Sequence, residues 1–177
     1  MKAALNNNNN NNHHQSGVAS PRFPSTAELL ERGIPFSLDQ VVPNVPQIYV
    51  MYGLQRRAGR VGSAQGNNQF RRHAGPHGWF ERMREGRDVA ISRIGGSNFC
   101  ADAHRQGAAG FIYVILEQGH HLADKATRRC HEQQWMDALR DDTDIEDYSY
   151  EAPCRRETCP FGVAHPAPRR YFRRSAL

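Results

Sequence analysis

The chain is poor in lysine, and this absence shapes its charge. Of its 23 basic residues only Lys2 and Lys125 are lysines, so the formal net charge of +5 comes almost entirely from arginine. Arginine presents a planar fork of N–H groups that suits phosphate and carboxylate, whereas lysine offers a compact point charge. The balance favours an anionic ligand or partner, although biased codon usage would produce the same excess without any function.

Long hydrophobic runs are also absent. No stretch approaches the roughly 18 apolar residues that a membrane-spanning helix requires, so we expect no membrane span. Residues 1–5 lead directly into asparagine, without the hydrophobic region of a secretory signal peptide. Export of this chain would therefore need a route other than Sec.

The cysteine pattern excludes the common zinc folds. None of the four cysteines forms the C-x-x-C pair that a zinc ribbon or finger requires. Cys154 and Cys159 could close a small loop in an oxidising compartment. Nothing in the sequence indicates such a compartment, so we expect free thiols.

Histidines and acidic residues are present without a recognisable metal motif. His120, His121 and His131 lie near Cys130, but neighbouring histidines in a strand point to opposite faces, and no two of them have the i, i+4 spacing of a helical site. The acidic run 141–147 lacks the glycine and the terminal glutamate of a calcium-binding EF-hand loop. We therefore predict no metal site, and we expect the acidic run to be solvated.

Composition divides the chain into three parts. Residues 1–20 form an asparagine-rich leader of low complexity, which offers no apolar face and is predicted to be disordered. Residues 21–152 carry the periodic apolar patterns and are interpreted as one domain. Residues 153–177 form an arginine- and proline-rich tail that we expect to be loosely ordered. A hydrophobic fraction of 38% and a mean hydropathy of −0.74 agree with a core that occupies only part of the chain.

Within the domain, apolar periodicity and capping residues predict short helices and short strands. Ser25 or Thr26 can cap a first helix, which Gly33 would end. Further helices are predicted at residues 79–84 and 97–106, with a helical turn at 135–139. Strands are predicted at residues 48–52, 88–92, 111–116 and 148–151. Residues 55–78 are rich in arginine, glycine and asparagine and are predicted to form a long surface loop.

The most informative stretch runs from residue 110 to residue 135. Residues 111–116 indicate a buried strand, because they follow a glycine and are rich in β-branched and aromatic side chains. Downstream, Glu132 and Gln134 are two residues apart, so in an extended segment both side chains would face the same way. A segment that delivers an acid and an amide to one face is one way in which enzymes build a site.

The order of these pieces resembles the catalytic subunits of cholera- and pertussis-type ADP-ribosyltransferase toxins. Residues 110–115 are similar to the family's Tyr-Ile-Tyr-Val-Ile strand, and residues 131–139 are similar to its Glu-x-Glu turn and the Ala-Leu that follows. A strand and a helix between residues 88 and 106 match the segment of the family's Ser-Thr-Ser motif, and residues 49–57 match its first strand. The resemblance covers residues 46–140 and implies an α+β domain in which a split β-sheet surrounds a cleft for NAD.

On the cofactor side, the resemblance implies contacts with the phosphates and the nicotinamide of NAD. The position of the family's first-strand arginine holds Val50 or Tyr52. The serine triplet keeps only its last member, Ser92, and has Ala90 at its first position. The residues at the implied NAD site are Tyr52, Arg56, Arg57, Ala90 and Ser92.

Two alignments of the catalytic acid stay open. If Gln134 occupies the catalytic position, Glu132 is the acid on the acceptor side, and the loss of a preorganised charge would lower the rate by roughly 10²–10³-fold. If the alignment shifts by two residues, Glu132 is itself the catalytic acid. In that case Arg56 or Arg57 would clamp the NAD phosphates through the guanidinium fork.

The leading hypothesis is an NAD-dependent protein mono-ADP-ribosyltransferase that acts as a toxin or virulence effector. Such a protein would be secreted or delivered into a host cell by a route other than Sec, and would otherwise be cytoplasmic. If active, it would transfer ADP-ribose to a host protein side chain, and if inactive it would be a pseudoenzyme that binds a partner. The alternative is a basic module that binds nucleic acid or an acidic protein through residues 55–87 and the tail, without catalysis. The dispersed arginines and the lack of a nucleic-acid-binding motif argue against nucleic acid.

Overall fold

The computed structural model describes residues 21–37, 39–74, 78–84, 96–142 and 144–148. These residues form five α-helices and five strands. The helices are α1 (Thr26–Arg32), α2 (Asn68–Ala74), α3 (Trp79–Arg84), α4 (Gly96–Gln106) and α5 (Lys125–Asp141). The strands are β1 (Ile34–Pro35), β2 (Gln47–Gly53), β3 (Ala58–Ala64), β4 (Phe111–Gln118) and β5 (Glu146–Asp147). Two 3-10 turns, Ala108–Gly110 and His120–Leu122, flank β4.

The five strands form one sheet in the order β1-β4-β2-β3-β5. Strand β2 lies at the centre and pairs antiparallel with β3 and β4 along its whole length, whereas β5 pairs parallel with β3 at two positions. The predicted α+β class is confirmed. The described strands all belong to this one sheet, and the split into two parts that the toxin resemblance implied is not present among them.

The central strand β2 is buried from end to end because it is covered on both faces. Ile48, Val50 and Tyr52 point to one face and pack beneath α1 and α5. Tyr49 and Met51 point to the opposite face and pack beneath α2, α3 and α4. A strand covered on both sides needs apolar residues at successive positions, and β2 supplies them without the polar alternation of a half-exposed strand.

Aromatic rings fill the layer between the sheet and helices α2 to α4. Tyr49 stacks on Tyr113 with ring centroids 4.6 Å apart, and Trp79 stacks on Phe99 with centroids 5.0 Å apart. Such pairs contribute about 0.5–1.5 kcal/mol each beyond the burial of their surface. Ring packing therefore makes up much of the core on this face of the sheet.

Helix α1 begins as the sequence predicts. The Ser25 hydroxyl accepts a hydrogen bond from the backbone N–H of Glu28, and the Glu28 carboxylate accepts one from the backbone N–H of Ser25 at 2.7 Å. This reciprocal capping box satisfies two N–H groups at the start of the helix. The predicted helices at 79–84 and 97–106 and the predicted strands at 48–52 and 111–116 are also confirmed, with ends shifted by no more than two residues.

The prediction of a loop over residues 55–78 is wrong, because this segment contains β3 and α2. Strand β3 holds Gly59 and Gly62, and glycine is unfavourable in strands, so the sequence pattern concealed it. The structure shows why glycine fits there. A Cβ at Gly62 would lie 2.8 Å from the hydroxyl oxygen of Tyr49, and a Cβ at Gly59 would lie 3.0 Å from a methyl group of Val50.

The expectation that Glu132 and Gln134 occupy an extended segment is also wrong, since both lie in the middle of α5. Asp124 caps this helix, its side chain accepting the backbone N–H of Thr127 at 2.7 Å. The buried face of α5 recurs at helical spacing and includes Gln133, Met136 and Leu139. The predicted helical turn at 135–139 is therefore the second half of one 17-residue helix.

The acidic run after α5 is only partly solvated, contrary to expectation. Asp147 lies in β5 with its side chain 4% exposed, and its carboxylate accepts a hydrogen bond from Arg140 at 2.9 Å. Strand β5 ends at Asp147, and Tyr148, the first residue of the strand predicted at 148–151, is not in a strand. The other residues of that prediction lie outside the described part of the chain. The predicted leader, the strand at 88–92 and the predicted tail lie outside it as well. No helix among the described residues is both long and apolar enough to cross a membrane.

The contact between Gly62 and Tyr49 gives a test of the packing. We expect Gly62→Ala to lower the free energy of unfolding by about 1–3 kcal/mol, because the new methyl group would displace a buried, stacked ring. Urea denaturation measures the change. In a Tyr49→Leu background the same substitution should be less costly, since the obstructing hydroxyl and ring edge are gone. An equal cost in both backgrounds would show that this contact does not explain the glycine.

Candidate functional site

Glu132 lies on α5 and reaches the edge of the sheet. Its carboxylate accepts a hydrogen bond from the hydroxyl of Ser63 on β3, with an oxygen–oxygen distance of 2.7 Å. Burial raises the pKa of Glu132, against the lowering effects of the Ser63 hydrogen bond and of the charges of Arg129, Arg60 and Arg128. The surviving acid of the predicted motif is thus partly buried, held by a hydroxyl and surrounded by positive charge.

Gln134, the partner in the predicted motif, does not share this environment. Two helix positions rotate a side chain by about 200° around the axis, so Glu132 and Gln134 leave α5 on different sides. Tyr52 lies apart as well. It pairs with Gly59 along β3, four residues from Ser63, which places it about 13 Å along the strand from the Glu132 contact.

The predicted phosphate clamp lies at the opposite end of the sheet. Arg56 follows β2 in the turn that leads to β3, and its guanidinium donates two hydrogen bonds to the carboxylate of Asp102 on α4. Neighbouring Arg57 is exposed and has a positive φ of 54°. The structure therefore does not bring Arg56 or Arg57 together with Glu132. Ala90 and Ser92 lie outside the described residues.

Asp102 is a buried carboxylate that joins three parts of the fold. Besides Arg56, it accepts hydrogen bonds from Arg105 and from the hydroxyl of Tyr148, which follows β5. Burial alone would raise the pKa of Asp102, but the hydrogen bonds from Arg56 and Tyr148 and the charges of Arg56 and Arg105 together lower it. The side chain of Asp102 is 1% exposed. Its contacts connect α4 to the β2–β3 turn through Arg56 and to the residue after β5 through Tyr148.

A cluster that the sequence analysis did not consider forms where β4 ends, and it combines His121 and His131 with Glu117. The carboxylate of Glu117 lies 2.7 Å from Nε2 of His121 and 3.0 Å from Nδ1 of His131 on α5. Its second oxygen accepts a hydrogen bond from the indole N–H of Trp135 at 2.9 Å. Burial would raise the pKa of Glu117, but the hydrogen bonds from His131, His121 and Trp135 lower it to about 2. The carboxylate is therefore ionised at neutral pH.

A bulge in β4 accounts for the direction of the Glu117 side chain. The register between β2 and β4 shifts so that Tyr49 pairs with Ile115 while its neighbour Ile48 pairs with Glu117. The extra residue, Leu116, packs on the α5 side, and the bulge places Glu117 on that side too. Bulges of this kind re-aim side chains and are frequent beside functional sites.

The two clusters share one end of the sheet and one face. Ser63 and Glu117 both pair with Ile48 of the central strand, so they lie on either side of it, about 10 Å apart across two strand spacings. Helix α5 crosses above them and presents successive residues to the two strands, His131 to β4 and Glu132 to β3. Residue spacing could not reveal the cluster of Glu117, His121 and His131, because Glu117 lies in a strand, His121 in a 3-10 turn and His131 in a helix.

A cleft of about 700 Å³ opens at the other end of β4 and is lined mainly by apolar side chains, including Phe36, Leu54 and Ile112. Gln106 contributes an amide whose oxygen and nitrogen are buried without a hydrogen-bond partner in the structure. Neither Glu132 nor the Glu117 cluster lines this cleft, so it is separate from both.

Comparisons of the chain with protein-family models, with curated proteins and with solved structures find no match. The arrangement of the described side chains is therefore what indicates a function. Two arrangements combine ionisable groups with partial exposure: the Glu132 region with its arginines, and the Glu117 cluster with its two histidines.

The Asp102 network predicts a pH-dependent loss of stability. We expect Asp102→Asn to lower the free energy of unfolding at pH 7 by about 2–3 kcal/mol, because the hydrogen bonds from two arginines and a buried tyrosine lose their charged acceptor. Since the pKa of Asp102 is lowered by folding, its contribution is complete above the ordinary aspartate pKa of about 3.9 and disappears as the pH falls through the lowered value. The difference between the two proteins should therefore shrink below about pH 4.

Chemical denaturation at pH 7 and pH 3 measures both effects. Asp144→Asn is a matched control, since Asp144 is exposed and should change stability by less than about 0.5 kcal/mol. A loss at pH 3 as large as that at pH 7 would contradict the assigned role of the Asp102 charge.

Proposed function

We propose that the chain binds a phosphate-bearing nucleotide beside Glu132, and that this nucleotide is NAD, whose ADP-ribose is transferred to a protein side chain. The observation that carries the proposal is the Glu132 carboxylate itself, held by Ser63 and surrounded by arginine charges. This assignment keeps the carboxylate of the toxin-like motif and replaces the partners that the sequence suggested for it.

The cations beside Glu132 differ from those expected. Arg129 is exposed on α5, three residues before Glu132, and its charge acts to lower the pKa of that carboxylate. It forms no salt bridge or hydrogen bond with another described residue. Arg72 is exposed as well, but it lies on α2, which packs on the other face of the sheet. An exposed arginine such as Arg129 can bind a phosphate of a dinucleotide through its planar fork.

In the proposed reaction, the bond between the nicotinamide nitrogen and the ribose carbon breaks, and its electron pair leaves with nicotinamide. Positive charge then develops on the ribose, where the carboxylate of Glu132 would stabilise it. A nucleophilic side chain of the acceptor protein forms the new bond to the same carbon and loses its proton. Ser63 would act by holding the Glu132 carboxylate in place rather than by touching the ribose.

A radiolabel-transfer assay tests this function with the full-length chain, NAD labelled in the adenylate phosphate, and a cell lysate as the source of acceptor. We expect Glu132→Gln to lower transfer by roughly 10²–10³-fold, because the amide has the same shape but no charge. Glu31→Gln makes the same chemical change on the exposed face of α1 and should leave transfer unaltered.

Calorimetric titration with NAD separates the two positions proposed for the phosphate clamp. Arg129→Gln should weaken binding several-fold, whereas Arg57→Gln should not, since Arg57 lies at the far end of the sheet. Absence of NAD binding, or equal transfer by wild type and Glu132→Gln, would reject the proposal.

The second candidate, a basic module without catalysis, is favoured by the exposed arginines Arg71, Arg72 and Arg129, the last two of which form no salt bridge with another described residue. It predicts binding of single-stranded oligonucleotide whose affinity falls steeply with salt, with a log–log slope of about 0.7 for each phosphate contacted. Removing one of these arginines should reduce that slope, while Glu132→Gln should leave it unchanged. The outcome with Glu132→Gln therefore distinguishes the two candidates.

A further inference from the structure

Three side chains from different parts of the chain meet at the end of β4. Glu117 comes from the strand, His121 from the 3-10 turn that follows it, and His131 from the second turn of α5. One carboxylate oxygen or ring nitrogen from each lies within 4.8 Å of the others. We propose that these three residues bind a divalent transition-metal ion, with Zn²⁺ as the expected ion, at a site that the NAD-binding function does not require.

The donor set suits this class of ion. Two imidazole nitrogens and one carboxylate oxygen form a common protein ligand set for zinc, and imidazole suits zinc and its neighbours far better than magnesium or calcium. With metal–ligand distances of about 2.0–2.1 Å, ligand atoms in a tetrahedral site lie about 3.3 Å apart. The present contacts of 2.7 Å and 3.0 Å would therefore lengthen by about 0.3–0.6 Å on metal binding.

The carboxylate is already oriented for a single metal bond. His121 contacts Oε1 of Glu117, and Nδ1 of His131 lies 3.0 Å from Oε1 and 3.1 Å from Oε2. Oε2 also accepts the indole N–H of Trp135 at 2.9 Å, which leaves Oε1 as the oxygen that both histidines can share with a metal ion. Trp135 in turn packs edge-on against Phe23, with ring centroids 6.4 Å apart. A hydrogen bond to the oxygen that does not bind metal fixes a ligating carboxylate, as outer-shell partners do in metal sites generally.

The backbone between the first two ligands is shaped to bring them together. Gly119 has a φ of +147°, which side-chain-bearing residues rarely adopt, and a Cβ there would lie 2.8 Å from Nδ1 of His121. The N–H of Gly119 donates to the carbonyl oxygen of Pro46 at 2.9 Å, which anchors the turn to the start of β2. With the bulge in β4, this turn aims both Glu117 and His121 toward α5.

The cluster is also open to a further ligand. The side chain of His121 is 53% exposed, and those of Glu117 and His131 are 24% and 20% exposed. Three protein ligands at the surface leave at least one position of a tetrahedral ion for water or an external group, which is the arrangement of catalytic rather than structural zinc. To bind a metal ion, Nε2 of His121 and Nδ1 of His131 must each present a lone pair. The proton of each neutral imidazole is then on its other ring nitrogen.

Isothermal titration of the full chain with ZnCl₂, and absorption spectra with Co²⁺ as a visible probe, test the site. We expect one ion at this position, with an affinity that falls at least tenfold in His121→Asn and in His131→Asn. His120→Asn is the matched control, because His120 is adjacent and exposed but is not part of the cluster, and it should stay within twofold of wild type. The Co²⁺ spectrum should lose its nitrogen-ligand bands only in the first two variants.

A second measurement protects the test against variants that fail to fold. In the wild-type chain labelled with ¹⁵N-histidine, Zn²⁺ should shift the ring nitrogens of His121 and His131 before those of the other seven histidines. Zinc affinity unchanged in the His121→Asn/His131→Asn double variant, shifts confined to other histidines, or no uptake at 100 µM Zn²⁺ would each overturn the proposal. Label transfer from NAD measured with and without a chelator reports on the Glu132 site independently, so failure of one proposal is distinguishable from failure of the other.

Discussion

The burial of β2 on both faces is the constraint on which the rest of the structure depends. A strand whose seven residues are all shielded from water needs a layer of side chains above it and another below. Helices α2, α3 and α4 supply one layer with aromatic rings, and α1 and α5 supply the other with aliphatic side chains. Because α5 must lie across the sheet to complete that cover, the residues of its exposed flanks come to lie over the edges of the central strands.

This placement of α5 decides which groups can act together. Adjacent helix residues diverge by about 100°, so His131 and Glu132 reach different strands, β4 and β3, at the same end of the sheet. The bulge in β4 and the turn at Gly119 bring Glu117 and His121 to His131. Ser63 of β3 holds Glu132. The end that carries Arg56 and Asp102 is instead braced by ion pairs, with Asp102 almost fully buried. The end of the sheet with Glu117 and Glu132 is therefore opposite the end that the ion pairs of Asp102 stabilise.

Several elements could be predicted because their signals are local. The capping box of Ser25 and Glu28, the apolar strand at 111–118 and the apolar strand at 47–53 depend on residues close together in the chain. Strand β3 was missed since its glycines are explained only by the side chains of Tyr49 and Val50 on the neighbouring strand. The motif at 132–134 was read as extended because its spacing matched a known turn, while the helical repeat of buried residues around it was the stronger signal.

By itself the sequence determined the mixed α+β class, the two central strands and the arginine-dominated charge, since composition and short-range periodicity specify these directly. Only the tertiary structure decided the neighbours of the candidate groups. It paired Arg56 with Asp102, placed Glu132 against Ser63, and brought His121 and His131 to the carboxylate of Glu117. The physical reason is that strand register, a bulge and the crossing of a helix over the sheet convert distances along the chain into contacts, and none of these is visible in residue spacing.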